Sequence, residues 1–326
     1  MALLIRLLSL CLAGVLLYLA LAGLDWSAFV TALISMHPAW IGVCLGLEMI
    51  ALIVRAYRWS LLLSSRAGSC LFISFIGETI GDLGNTFFPA RAGEAMRTLL
   101  VSRRLDLDLP FVIGTATTER VSDAVFLALT AFAMMLLVPQ TPTWLTGAAL
   151  LFFALGIAML AILSFLPAFN TRILPLLHGT SRRSRFTDKL EEILTGIWLG
   201  TQALFGHPRR ILLYLLLTVA VWVGDAGAIL CLAGALGDPL HFAEAMLFLA
   251  ALGLSSAIPS TPGYLGIYQF VAVSVLVPFG LSRVHAIAII LVFQITVILQ
   301  ELLWGGLGWA AMVNNWIPYS RHRRPA

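Results

Sequence analysis

The sequence predicts an all-α polytopic membrane protein with about six full transmembrane helices and two re-entrant helical hairpins in an inverted repeat. Three observations predict it. Of the 326 residues, 60% are hydrophobic and 11% charged, against roughly 45–50% and 25% in soluble domains. Several apolar runs approach or exceed the ~20 residues that cross a bilayer. Arginines gather beside alternate ends of these runs and are missing from the loops between, the pattern of a positive-inside bias.

The runs, in order, are Ala2 to Leu24, Trp40 to Val54, Phe111 to Leu137, Trp144 to Leu166, Ile211 to Leu236 and Val284 to Val313. The first carries Arg6 and an Ala20-Leu21-Ala22 stretch resembling a cleavage site, but its apolar part is long for a signal peptide and reads as an uncleaved span. Arg55, Arg58 and Arg66 follow the second run, Arg97, Arg103 and Arg104 precede the third, and Arg172, Arg182, Arg183, Arg185, Lys189, Arg209 and Arg210 fill the loop after the fourth. Loops 25–38, 139–143 and 237–241 contain no Lys or Arg. This predicts a bacterial inner-membrane protein with both termini cytoplasmic.

A single integral membrane domain over 1–326 follows, its first half about 1–166 and its second about 211–326, joined by a basic cytoplasmic loop 167–210. Within that loop Phe186, Leu190, Ile193, Leu194, Ile197 and Leu204 recur near helical spacing against Asp188, Lys189, Glu191 and Glu192, predicting an interfacial amphipathic helix. The net charge of +4 sits beside apolar runs rather than in a patch with exposed aromatics, so no nucleic-acid partner is expected. Cys11, Cys44, Cys70 and Cys231 show no metal-ligand or disulfide spacing and read as packing residues. No cofactor or metal is expected.

Two apolar stretches do not fit as simple spans. Leu71 to Phe88 begins and ends beside arginines expected on one side, and Phe242 to Ile258 runs into Pro259, Pro262 and Gly263. Each is predicted to be one arm of a re-entrant hairpin. Pro89-Ala90-Arg91-Ala92-Gly93 then matches Pro259-Ser260-Thr261-Pro262-Gly263 as a shared P-x-x-x-G, with Gly266 shaping the second turn. Glycine- and proline-broken segments at corresponding places in two halves mark a transport site near the midplane.

Charged residues inside these segments point to the same place, because they are costly in a bilayer and face protein or water. Glu78 and Asp82 fall four apart on the first arm; Arg91, Glu94 and Arg97 fall three apart after the turn. Glu119, Arg120 and Asp123 enter the third run, Asp225 and Glu301 the fifth and sixth, and Glu48 the second. Asn85, Thr261, Tyr264 and Tyr268 supply hydrogen-bond donors, with an interfacial aromatic belt as the competing reading of the tyrosines. A guanidinium binds phosphate bidentately and a helix start offers free N–H groups to an anion, so Arg91 beside the broken helix is the expected phosphate ligand. Glu78, Asp82, Asp225 and Glu301 are candidate coupling carboxylates. Mutual charge compensation that only assembles the bundle is the competing reading for Glu119, Arg120 and Asp123.

The series Gly81 to Arg97, Glu119-Arg120-Val121-Ser122-Asp123 and Pro262-Gly263-Tyr264-Leu265-Gly266-Ile267-Tyr268 resembles the transmembrane domain of the lysylphosphatidylglycerol synthase family, also called flippase-like. In the best-understood members of that family the module is joined to a cytoplasmic aminoacyltransferase domain and is held to move the aminoacylated lipid between leaflets. The resemblance implies lipid translocation rather than lysyl transfer, and a kinship with members associated with hopanoid biosynthesis. It places the polar centre at Asn85, Arg91, Glu94, Arg97, Glu119, Arg120 and Asp123, with Pro262, Gly263 and Gly266 forming the second turn. The expected function is movement of an amphipathic lipid, with no catalysis. The alternatives are an intramembrane lipid-modifying transferase and a non-transporting partner of a lipid biosynthetic enzyme.

Overall fold

The computed structural model describes residues 2–88, 91–138, 143–168, 185–205, 207–256 and 262–314. Among them all regular structure is helical: α1 (Ala2–Leu21), α2 (Trp26–Ser35), α3 (Pro38–Ala67), α4 (Leu71–Phe87), α5 (Ala92–Leu105), α6 (Leu109–Met135), α7 (Thr143–Ala168), α8 (Arg185–Phe205), α9 (Pro208–Ala235), α10 (Phe242–Ser255), a short 3-10 turn (Pro262–Tyr264), α11 (Ile267–Leu276), α12 (Arg283–Gln300), a π turn (Glu301–Gly305) and α13 (Gly306–Val313).

The first apolar run breaks earlier than its composition suggests. Asp25 Oδ1 accepts the backbone N–H groups of Ser27 and Ala28 at 2.9 and 3.0 Å, an N-cap that starts a new helix. The loop expected at 25–38 therefore contains α2, which is bent 84° from the C-terminal part of α1. Among the described residues three helices, α3, α9 and the α12–α13 unit, are long and apolar enough to cross a membrane, and the bent α1–α2 pair makes a fourth if it counts as one span. Helix α6 is 27 residues long but carries Glu119, Arg120 and Asp123 along its middle.

The run expected to end at Val54 continues to Ala67, giving α3 its 30 residues. Arg55 and Arg58 are thus helical residues facing protein rather than loop anchors. Opposite α3 runs α9. Arg58 meets Thr218, Arg55 meets Asp225, and Leu47 lies beside Gly227. Rising numbers on one helix meet falling numbers on the other, so the two are antiparallel.

Each apolar arm predicted for a hairpin packs against the helix that follows it in the chain. In the first, a Cβ on Gly77 would lie 2.8 Å from Val101, on Gly81 2.9 Å from Arg97, and on Gly84 2.7 Å from the Gly93 backbone. The pairing 77–101, 81–97, 84–93 makes α4 and α5 antiparallel, with side chains of α5 seated on Gly77 and Gly81 and the two backbones in direct contact at Gly93. Gly93 is the tightest point, since a Cβ there would sit 1.8 Å from the Gly81 carbonyl oxygen. In the second, α10 packs on α11 across the 3-10 turn. Pro89, Pro259 and Thr261 lie outside the described residues.

Helix α8 forms within the predicted amphipathic segment. Gly196 and Gly200 place its backbone against Pro110 and Phe111 of α6, and Gly114 of α6 against Ile197, so one face is committed to protein. The largest apolar core joins α6, α9, α10, α11 and α12 around Phe248, Ile229 and Ile290. A second surrounds Trp59 between α3, α4, α5 and α8.

Candidate functional site

The charged residues divide into two groups. In the first, Arg58 of α3 donates to both oxygens of Asp123 at 2.6 and 2.8 Å, to Glu119 Oε1 at 2.9 Å and to Thr218 Oγ1 at 3.1 Å. Arg97 of α5 donates to Glu78 Oε1 at 2.5 Å, Glu119 Oε2 at 3.1 Å and Glu94 Oε2 at 2.8 Å. Arg120 closes the set on Glu94 Oε1 at 2.8 Å. Tyr214 lies 5.3 Å from the Arg58 guanidinium carbon and Trp59 4.7 Å from that of Arg97, aromatic faces that suit a cation. Arg58 and Glu119 are fully buried. Such a set stabilises only as a whole, because each partner removed leaves an uncompensated buried charge.

The second group lines a cavity of about 210 Å³ between the two halves of the chain. Glu48 and Arg55 enter it from α3, Thr86 from α4, Trp222 and Asp225 from α9, Tyr264 and Tyr268 from the second turn, and Glu301 from the π turn. Arg55 Nη2 stands 3.5 Å from Asp225 Oδ2, and Thr86 Oγ1 donates to Glu301 Oε2 at 2.5 Å. The Tyr264 and Tyr268 rings are stacked, with centroids 4.8 Å apart and planes within 7°. Glu48 Oε1, Asp225 Oδ1 and Trp222 Nε1 are buried with no hydrogen-bond partner among the described residues. Buried polar groups in folded proteins are seldom left unpaired.

The wall of the cavity is held from behind. Gln294 Nε2 donates to the Gly263 carbonyl at 3.0 Å, Gln269 Nε2 to Gln294 Oε1 at 2.5 Å, and the Gly266 N–H to Gln269 Oε1 at 2.7 Å. The chain bends here through Gly263, Tyr264 and Gly266, all at positive φ. Tyr264 at φ 57° is a strained place for a residue with a side chain, and the glutamine clamp fixes it. Glu301 opens a π turn, a helix irregularity that recurs at functional sites.

Of the expected site residues, Tyr264, Tyr268, Asp225, Glu301 and Gly263 lie on the cavity wall. Glu78, Glu94, Arg97, Glu119, Arg120 and Asp123 belong to the ion-pair cluster beside it. Asp82 is within electrostatic reach of Arg55. Arg91 is exposed at the N-cap of α5 in a left-handed conformation and does not line the cavity. Asn85 packs against Gly93 with a buried, unpartnered Oδ1. Sequence reasoning missed Arg55, Arg58, Trp222, Gln269 and Gln294. A signal existed for the first two: Glu48, Arg55 and Arg58 share one helical face if α3 runs past Val54.

A family model described as Lysylphosphatidylglycerol synthase TM region matches residues 6–305. Among curated proteins the chain is similar to Glycosyltransferase AglD of Haloferax volcanii, at 23% identity over 280 residues. The match covers 76% of this chain and 44% of that protein, so the chain spans less than half the length of this relative. No solved structure matches.

Proposed function

We propose that this chain, which belongs to the lysylphosphatidylglycerol synthase transmembrane-region family, carries an amphipathic lipid with a phosphate- or sugar-bearing headgroup across the bacterial inner membrane. The observation that carries this reading is the polar cavity between the halves, with a cation, carboxylates and stacked aromatic rings on an otherwise apolar wall. Arg55 is the cavity's phosphate ligand, since a guanidinium fork matches two phosphate oxygens. Tyr264 and Tyr268 flank the polar head, and the acyl or isoprenoid chains stay in the surrounding hydrocarbon. The ion-pair cluster around Glu119 is the rigid floor of the site. The chain is assigned no chemical step.

The topology read into this mechanism is six spans and two re-entrant hairpins related as an inverted repeat, with both termini cytoplasmic. Two relations support it. Helices α3 and α9 are antiparallel neighbours, and each half's hairpin leans on the other half: α4 on the π turn and α13, α10 on α6. Irregular backbone at depth is tolerated where it lines a cavity.

Purified protein in liposomes carrying labelled lipids tests the reading by leaflet exchange. Headgroup-selective exchange that drops at least about tenfold in Arg55→Ala is expected, the scale of a lost charge-assisted hydrogen bond. Absence of exchange with every lipid tried overturns it. A second reading, a lipid-modifying transferase or a non-transporting partner of one, draws on the glycosyltransferase name of the AglD relative. Sugar transfer to a lipid by the purified chain, or its co-purification with such an enzyme, would favour that reading.

A further inference from the structure

The cavity and the ion-pair cluster differ in charge balance. In the cluster each buried carboxylate has a guanidinium within hydrogen-bond distance. Among the residues lining the cavity there are three carboxylates, Glu48, Asp225 and Glu301, and one cation, Arg55. Glu48 and Asp225 retain 7% and 5% of their surface, and each has an oxygen without a partner. An isolated buried carboxylate is far too costly to stay ionised, so it takes a proton.

Arg55 also differs from the cluster arginines. Arg58 and Arg97 are 0% and 1% exposed and are held at 2.5–3.1 Å by several acceptors, and Arg120, though 33% exposed, is held by Glu94 at 2.7 and 2.8 Å, whereas the one contact of Arg55 with a carboxylate among the described residues, at Asp225, is 3.5 Å long. It is the guanidinium able to turn. When it turns to an anionic headgroup, Asp225 is left a buried anion beside Glu48, with no free cation to replace Arg55, because Arg58 is engaged by Glu119 and Asp123.

Resting on the translocation reading, we propose that the Glu48–Asp225 pair is a proton site: Asp225 takes up one proton as Arg55 passes to a phosphate-bearing headgroup, and releases it when Arg55 returns. Glu48 stays protonated throughout. One proton and one headgroup negative charge then move together, so the occupied cavity gains no net charge. The other ionisable groups facing the pair and Arg55 are Cys44 and Arg58 on α3, Glu78 and Asp82 on α4, Asp123 on α6, Cys231 on α9, Glu301 in the π turn, and Tyr264 and Tyr268 at the second turn. Glu301 is tied by Thr86, and Glu78 and Asp123 by the cluster arginines. Asp82 also feels Arg55 but has Arg120 and Arg97 within reach, so Asp225, which touches Arg55 directly, is the carboxylate whose counterion leaves.

Two measurements on the full chain test this. Dihexanoyl phosphatidylglycerol and dihexanoyl phosphatidic acid are titrated into detergent-solubilised protein with a pH indicator, and fluorescent phosphatidylglycerol exchange is followed in phosphatidylcholine liposomes bearing a pH gradient. One proton bound per lipid is expected, with a leaflet ratio skewed about tenfold per pH unit, since one unit is about 1.4 kcal/mol per proton. Asp225→Asn is expected to abolish both effects, while Glu48→Gln, which mimics the protonated acid, keeps proton uptake. Exchange with neither uptake nor skew overturns the proton site and leaves translocation standing, as does uptake that persists in Asp225→Asn. Uptake without exchange upholds the site and sinks translocation; no binding of either lipid sinks both.

Discussion

Arg58 and Arg97 grip opposite oxygens of one carboxylate: Glu119 Oε1 accepts from Arg58 at 2.9 Å and Oε2 from Arg97 at 3.1 Å. Through that residue α3, α5 and α6 are joined in one polar unit, inside a protein whose other contacts are mostly apolar. Glu119→Gln removes the negative charge and keeps the shape. It is expected to destabilise the protein by about 3–5 kcal/mol, the cost of breaking a buried ion pair from one side. Thermal unfolding in detergent measures this, and an unchanged midpoint would show that the two arginines are compensated without it.

Gly93 and Gly263 are expected to behave differently although both are turn glycines. Gly93→Ala places a methyl 1.8 Å from the Gly81 carbonyl oxygen, so the α4–α5 seam must part and the yield of monodisperse protein falls sharply. Gly263 has open space around its Cβ position but a φ of +68°, so Gly263→Ala costs about 1–2 kcal/mol of backbone strain. Comparable losses for both would refute the close approach at Gly93.

The glutamine clamp behind the cavity gives a third expectation. Gln269→Leu leaves the Gly266 N–H and Gln294 Oε1 without their partners, an orphaning that costs about 1–3 kcal/mol. Lipid exchange is expected to lose headgroup selectivity as well, because the Tyr264–Tyr268 stack is no longer held. Selectivity retained alongside reduced stability would confine Gln269 to a structural role.

The antiparallel contact of α3 and α9 is directly checkable by cross-linking. A Cβ on Gly224 would lie 3.8 Å from that of Ala51, within the roughly 3.5–4.5 Å that a disulfide requires. Ala51→Cys with Gly224→Cys, in a background where Cys11, Cys44, Cys70 and Cys231 are replaced by Ser or Ala, is expected to form a bond on mild oxidation. Its absence by mass spectrometry would place the two helices in another register.

What the sequence made legible follows from what is local. Pro and Gly gathered at the end of an apolar run mark a break in the chain, so the ends of α4 and α10 were readable from P-x-x-x-G. Acidic residues such as Glu48, Asp225 and Glu301 were conspicuous because each stands in an otherwise apolar run. Partner choice was not readable: Arg58 and Thr218 stand 160 positions apart, and only the packing of α3 on α9 brings them together. Arg55 and Arg58 resembled loop anchors because an arginine after an apolar run looks the same whether the helix stops or continues. Helix α2 was hidden because its start depends on a single capping aspartate, and the π turn because i→i+5 bonding has no sequence period.

The contact between Gly305 and α4 has a mechanical meaning. A Cβ on Gly305 would lie 2.7 Å from the Thr79 carbonyl oxygen and 2.8 Å from the Leu83 side chain, so the π turn bears directly on the α4 backbone. On its other flank α4 is pressed as closely by Gly93. A helix held this closely on both flanks has little slack, so a displacement at Glu301 would be passed on to α4 rather than absorbed by repacking.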